Sequence, residues 1–255
     1  MDTPLHFPSP LLNASGSLGF ALETDSPIDL NLLGAFITKP ISRRPRQPAS
    51  GQRLSHVSGG VLMHNGHPNP GLSSVLKTYA PRWAESPIPI IVHLLGGADP
   101  DLSSIVERLE MQENIMAVEL GLPWDISVGE AVQITKEGLG ELPLIVRLPL
   151  PRAFDLAGPV MNAGAVALSL GPPRGATLGE DGSLLRGRLY GPSNFPQAFQ
   201  MVDALAEEGY TVIGAGGVYS PDDARAMLDA GAIAVQLDTV LWRGDAQALF
   251  EGFNE

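Results

Sequence analysis

GYTVIGAGGVYSPDDARAMLDAGAIAVQLDTVLWRG, residues 209–244, carries the signals that decide the fold. An apolar strand (Thr211–Ile213) runs into a glycine loop, Gly214-Ala215-Gly216-Gly217. A helix then starts with the capping pattern Ser220-Pro221-Asp222-Asp223 and stops at Gly231. A second apolar strand, Ala232–Leu237, follows at once. Strand, helix and strand in so short a span form a βαβ unit with two parallel neighbouring strands. Glycines after the first strand let backbone N–H groups crowd together, which suits a phosphate. A tight turn packed on a helix reads the same way. The second strand ends in Leu237-Asp238-Thr239, where an acidic side chain is a poor neighbour for a phosphate.

The same rhythm extends over the whole chain. Further apolar, β-branched runs lie at Leu11–Ala14, Ala35–Thr38, Ile88–Leu94, Met116–Leu120, Leu144–Leu148 and Ala165–Leu170. With the two strands above they make eight. Continuous rather than alternating hydrophobicity marks strands covered on both faces, as in a parallel sheet. Helical patterns fall between them at Ser73–Glu85, Asp101–Glu113, Ile126–Glu137, Ala153–Ala163 and Phe195–Glu208, with Pro221–Ala230 in the opening stretch. Eight β/α units in 255 residues predict an α/β fold of the (β/α)8 TIM-barrel type; an open doubly wound sheet is the alternative. One domain, residues 1–255, is expected. Two connections, 41–72 and 171–192, are too long for plain crossovers and are read as active-site loops. Both follow strand C-terminal ends, where barrel enzymes keep their sites.

Composition narrows the function. Sixteen basic against 28 acidic residues give a net charge of −12, which argues against nucleic acid or an anionic membrane as partner. There is no cysteine, so disulfides, thiolate catalysis and a cysteine-held iron–sulfur cluster are unavailable to this chain. The opening MDTPLHFPSPLL lacks a signal-peptide pattern and no apolar run reaches about 18 residues, so a soluble cytoplasmic protein is expected. A small molecule is the expected partner, and a homodimer is left open.

Lys39 and Arg147 each end an otherwise apolar strand, and two such cations at a barrel mouth suit an anion. Arg147 cannot give up its proton, so its role is electrostatic. His93 sits in Ile90-Ile91-Val92-His93-Leu94, where a hydrogen-bonded core or rim histidine is the plain reading. His64 and His67 flank Asn65-Gly66 in HNGHPNPG, first a turn and second part of a substrate cover. No histidine or carboxylate cluster has metal-ligand spacing, so no metal is expected. Asn13-Ala14-Ser15-Gly16-Ser17 is small and polar, which lets a ligand approach the backbone.

Together these pieces resemble the catalytic domain of class 1 dihydroorotate dehydrogenases, FMN-binding (β/α)8 barrels. The resemblance rests on Asn13-Ala14-Ser15-Gly16, Ile37-Thr38-Lys39, Gly66-His67-Pro68-Asn69-Pro70-Gly71, Val146-Arg147-Leu148 and, most specifically, Ile213-Gly214-Ala215-Gly216-Gly217-Val218-Tyr219. It continues through Ala230-Gly231-Ala232, Val235-Gln236 and Thr239. It implies FMN held by Ala14, Ser15, Gly16, Lys39, His93, Arg147, Ser169, Gly191, Gly214, Gly216, Gly217, Asp238 and Thr239. It implies a substrate beside Met63, Asn65, Gly66 and His67, and Trp124 offers either an aromatic face beside that substrate or a simple packing role.

The departures carry as much information. Where the family has a loop bearing the Ser or Cys base, this chain reads Glu119-Leu120-Gly121-Leu122-Pro123-Trp124-Asp125. The family's asparagine before the turn falls on Met63, its fifth-strand lysine becomes Arg147, and its sixth-strand asparagine becomes Ser169. A buried polar substrate loses on the order of 1–3 kcal/mol for each missing partner, so dihydroorotate is not expected as substrate. Asp238 replaces a glycine, and a carboxylate about 6 Å from a phosphate costs roughly 3 kcal/mol per charge pair at an effective dielectric near ~20. The sequence therefore predicts an FMN-dependent oxidoreductase of the CH–CH donor class on an unknown substrate. Lys39, Arg147, Asp125 and His67 are its candidate catalytic groups. A catalytically inactive dehydrogenase-like barrel with a binding role and a flavin-free phosphate-ligand barrel enzyme are the alternatives.

Overall fold

The computed structural model describes residues 4–23, 28–97 and 101–254, so the first three residues of the amino-terminal segment read above lie outside it. Its strands, in chain order, are β1 (Leu11–Asn13), β2 (Phe36–Ile37), β3 (Leu54–Val57), β4 (Gly60–Met63), β5 (Ile90–Leu95) and β6 (Ile115–Gly121). Then come β7 (Leu144–Pro149), β8 (Ala167–Gly171), β9 (Arg174–Leu178), β10 (Leu184–Tyr190), β11 (Val212–Ala215) and β12 (Ala234–Leu237). The helices are α1 (Leu72–Ala84), α2 (Leu102–Glu110), α3 (Val128–Glu137), α4 (Ala153–Ala163), α5 (Phe195–Glu207), α6 (Pro221–Asp229) and α7 (Gln247–Asn254).

All eight expected strands form one parallel sheet in the order β1-β12-β11-β8-β7-β6-β5-β2. The seam between β1 and β2 is held by one bridge, Leu12 to Ala35, and by Asn13. The Asn13 side chain accepts from the Ile37 N–H and donates to the Ile37 carbonyl, both at 2.8 Å, standing in for ladder bonds. The opening βαβ unit folds as read: Ser220 and Asp223 make a reciprocal capping box at the start of α6, and Ile213 pairs with Ala234.

Successive side chains on a strand point to opposite faces, so the barrel interior fills in layers two residues apart. The apolar layer is Leu12, Ala35, Ile37, Ile91, Ala117, Ile145, Ala167, Ile213 and Ala234. Two residues further along stand Lys39, His93, Glu119, Arg147, Ser169 and Gln236. The alternation thus puts a polar layer at the C-terminal end of the barrel.

The two long connections, read as active-site loops, carry strands of their own. They build a four-stranded antiparallel sheet, β3-β4-β10-β9, on the rim of the barrel. Ser58-Gly59 turns the first hairpin, Gly59 taking φ 80°, and Arg188–Tyr190 pairs with Val61–Met63 to join the loops. Pairing across sequence-distant loops gives backbone groups partners that neither loop supplies alone. The carboxy-terminal helix α7 is a further element without a sequence-level expectation.

Candidate functional site

Glu119 lies at the centre of the polar layer, fully buried. Its carboxylate accepts from Ser169 Oγ at 2.7 Å and Gln236 Nε2 at 2.6 Å, and pairs with His93 Nδ1 at 2.6 Å. Burial, the largest influence, pushes the Glu119 carboxyl up. The hydrogen bond from His93, with Arg147 and Ser169, more than offsets it and holds Glu119 down at about 2. Burial dominates at His93 and holds it below its ordinary value despite Glu119. Both directions describe one arrangement: an ionised Glu119 accepting from the Nδ1–H of a neutral His93. The Nε2 of His93 then keeps its lone pair and faces the barrel mouth. A Cβ at Gly121 would stand 2.7 Å from that nitrogen, so the pair requires glycine there.

Above the pair opens a mouth of about 610 Å³. Arg147, Arg174, Arg188, His67, Trp124 and Tyr190 line it together with His93 and Gly121. A second opening, of about 430 Å³, is lined by Ala14, Ser15, Gly16, Lys39, Met63, Asn65, Asp238, Thr239 and Trp242. His67, Tyr190, Ser15 and Pro40 border both. His67 is held at a left-handed φ of 52°, its N–H donating to Asn65 Oδ1 at 3.0 Å. Its Nε2 is buried without a hydrogen bond. Burial, then the charges of Arg188, His93, Arg147 and Arg46, push His67 down to about 2, so it is neutral.

The glycine loop has reasons of its own. A Cβ at Gly217 would meet the Phe195 backbone N at 2.3 Å, at Gly216 the Ala198 Cβ at 3.1 Å, and at Gly214 the Met227 Cβ at 3.2 Å. Close packing on α5 therefore requires glycine at 217 and a φ of 112° favours it at 216, whatever they bind, while a Cβ at 214 would press on Met227. Among the described residues, the N–H groups of Gly216 and Gly217 nonetheless make no hydrogen bond. Gly191 serves the rim sheet, where a Cβ would lie 2.2 Å from the Gly59 carbonyl oxygen. Asp238, 8% exposed, accepts from the Thr239 backbone N–H and, at 3.1 Å, from Thr239 Oγ1. Burial pushes its carboxyl above the usual range. It does not pair with Arg243, which is engaged by Asp245 at 2.8 Å.

The structure thus gathers Ala14, Ser15, Gly16, Lys39, Met63, Asn65, His67, His93, Trp124, Arg147, Asp238 and Thr239 around the two openings. Gly66 shares their loop, at φ 74°, and Ser169 supports the floor through Glu119. Asp125 is not brought to the mouth: it lines a separate opening with Glu130 and Glu137. Sequence reasoning missed Glu119, Gln236, Arg174, Arg188 and Tyr190. For Glu119 and Gln236 a signal existed, a polar residue in register with the interior of an apolar strand. Among the described residues no cluster of three or more His, Cys, Asp or Glu could hold a metal, and no helix is long and apolar enough to cross a membrane.

Residues 3–138 match the family model described as Dihydroorotate dehydrogenase, which is more than half of the chain. The chain belongs to the dihydroorotate dehydrogenase family. This family member is 30% identical over 260 residues to the dihydroorotate dehydrogenase B (NAD(+)) catalytic subunit of Halalkalibacterium halodurans, covering 92% of the chain and 84% of that protein. It is 29% identical over 262 residues to the protein of the same description from Latilactobacillus sakei, with the same coverage. In fold it is similar to the crystal structure of the Eimeria tenella DHODH in complex with ferulenol, with a TM-score of 0.74, 16% identity, and coverage of 98% of this chain and 81% of that one. The barrel expected from the sequence is therefore the fold of a dihydroorotate dehydrogenase-like oxidoreductase.

Proposed function

We propose that the chain is an FMN-dependent oxidoreductase of this family acting on a substrate other than dihydroorotate. The observation that carries the reading is the Glu119–His93 pair, whose free Nε2 borders the mouth. The donor set fits a flavin in three respects. Ala14-Ser15-Gly16 forms a floor of small residues in the second opening. Lys39 borders the same opening with Nζ 5.8 Å over the Phe20 ring and no carboxylate partner among the described residues. Gly216 and Gly217 offer uncommitted N–H groups for a phosphate. Asp238 is the departure, since its carboxylate takes the Thr239 N–H and weakens the seat.

When bound, FMN supplies a two-electron hydride acceptor. His93 Nε2 takes a proton from the substrate, and Glu119 holds the imidazole in the tautomer that leaves Nε2 free. Arg147 and Lys39 favour negative charge at the mouth. Such a pair supplies a base that the loop after β6 does not.

A visible flavin band in the purified protein supports this reading, and colourless protein that fails to take up added FMN would sink it. If flavin is bound, photoreduction followed by unsaturated acceptors reads turnover. Asp238 favours a second reading, a flavin-free relative with a binding role. Asp238→Gly separates them: gain of FMN affinity in the variant, with none in the parent, supports the second.

A further inference from the structure

Arg174 on β9 and Arg188 on β10 are directly paired across the antiparallel ladder, so their side chains share one face of the rim sheet. That face lines the mouth, and Arg147 reaches it from the barrel. Like charges directly opposite destabilise a sheet, yet the charge of each of Arg147 and Arg174 bears on Arg188. Among the described residues no carboxylate pairs with any of the three. Among the described residues the Arg147 side chain donates only to the Leu170 carbonyl, at 3.3 Å, and the Arg174 and Arg188 side chains make no hydrogen bond. The lining of the mouth contains no aspartate or glutamate, in a chain with 28 acidic and 16 basic residues. Glu119 lies beneath and Asp238 to the side, and both act on Arg147; the charges that bear on Arg188 are those of Tyr190, Arg147 and Arg174. Guanidinium forks with uncommitted N–H groups converge where carboxylates or phosphates bind bidentately.

We propose that this mouth binds a small organic anion carrying at least two carboxylate or phosphate groups, one held by Arg147 and another by the Arg174–Arg188 pair. The inference rests on the mouth being the ligand site of the function proposed above. It adds the substrate class: a polyanion bridging barrel and rim sheet, its middle lying against neutral His67 and His93.

Calorimetric titration of the full chain with citrate and with inorganic pyrophosphate tests it, with acetate as reference at equal ionic strength. At least one polyanion is expected to bind roughly tenfold or more tighter than acetate, and to weaken as sodium chloride rises. Arg188→Gln and Arg174→Gln are each expected to lose roughly tenfold in that affinity. Without ligand, the same variants are expected to melt no lower than the parent, because each removes a like-charge pair. Binding no tighter than acetate, or variants that bind as the parent does, would overturn the proposal. So would a lower melting temperature of the ligand-free variants, which would make the arginines structural. The flavin reading fails separately: colourless protein that binds citrate keeps this proposal, and yellow protein indifferent to both polyanions removes it.

Discussion

A carboxylate has room for about four hydrogen bonds, and Glu119 uses three, to His93, Ser169 and Gln236. Those partners come from three other strands, so one side chain ties four barrel strands together at the mouth. Gln236 Oε1 remains buried without a partner, the cost of aiming the amide nitrogen at Glu119. Gly121→Ala tests how tightly the pair is held. A methyl group 2.7 Å from His93 Nε2 must push the imidazole off Glu119, costing about 1–3 kcal/mol. Denaturant unfolding should show that loss, and the His93 ring resonances should change with it. Glu119→Gln tests the tautomer. An amide can donate to Nδ1, leaving the proton on Nε2, and nitrogen chemical shifts of His93 should report that exchange; unchanged shifts would remove Glu119 as the positioning residue.

At the scale of elements, the glycine loop between β11 and α6 is fixed by contact with α5. Gly217 has φ 74°, and a Cβ there would sit 2.3 Å from the Phe195 backbone, an obstacle no side-chain rotation relieves. Gly217→Ala should cost at least about 3 kcal/mol, from the clash and left-handed strain together, and a smaller loss in urea unfolding would mean that the helix start can move. The rim sheet behaves differently. Its apolar face holds Leu62, buried on β4, while its other face carries the arginines. Leu62→Ala should cost about 2–3 kcal/mol. Amide exchange should quicken in β3, β4, β9 and β10 first, since these pair with one another and not with the barrel.

For the whole molecule, buried titrating groups set the response to acid. His67 and His93 have folded pKa values below their ordinary 6.5, so below that pH the unfolded chain binds more protons. Their stability is fully present above about pH 6.5 and is lost as pH falls. Glu119, held at about 2 against an ordinary 4.5, adds a loss that begins below about pH 4.5. Asp238, raised by burial, acts the opposite way and gives a little stability back in acid. The free energy of unfolding in urea should therefore fall from pH 6.5 to 4.5, by up to about 1.4 kcal/mol per pH unit for each histidine. His67→Gln should flatten that slope, and an unchanged slope would mean that His67 titrates normally.

The eight β/α units were legible in the sequence because apolar runs bounded by helix caps follow from local chemistry. The polar layer was partly legible, since strand alternation fixes which residues face inward once one of them is known. Lys39, Arg147 and His93 stood out as isolated polar residues on apolar strands. Glu119 and Gln236 carried the same signal, and the structure gives it meaning by joining them. Asp238 was visible as a conflict, but only the folded chain decides that its carboxylate turns onto the Thr239 N–H. Asp125 was as good a candidate base as any until the loop carried it to a different opening. Arg174 and Arg188 lay beyond local reading, because their pairing depends on the register of β9 against β10. Sequence alone thus determined the barrel, since periodicity and capping act within a few residues. Tertiary structure decided the proton pair and the cationic mouth, since both exist only where strands distant in sequence are brought side by side.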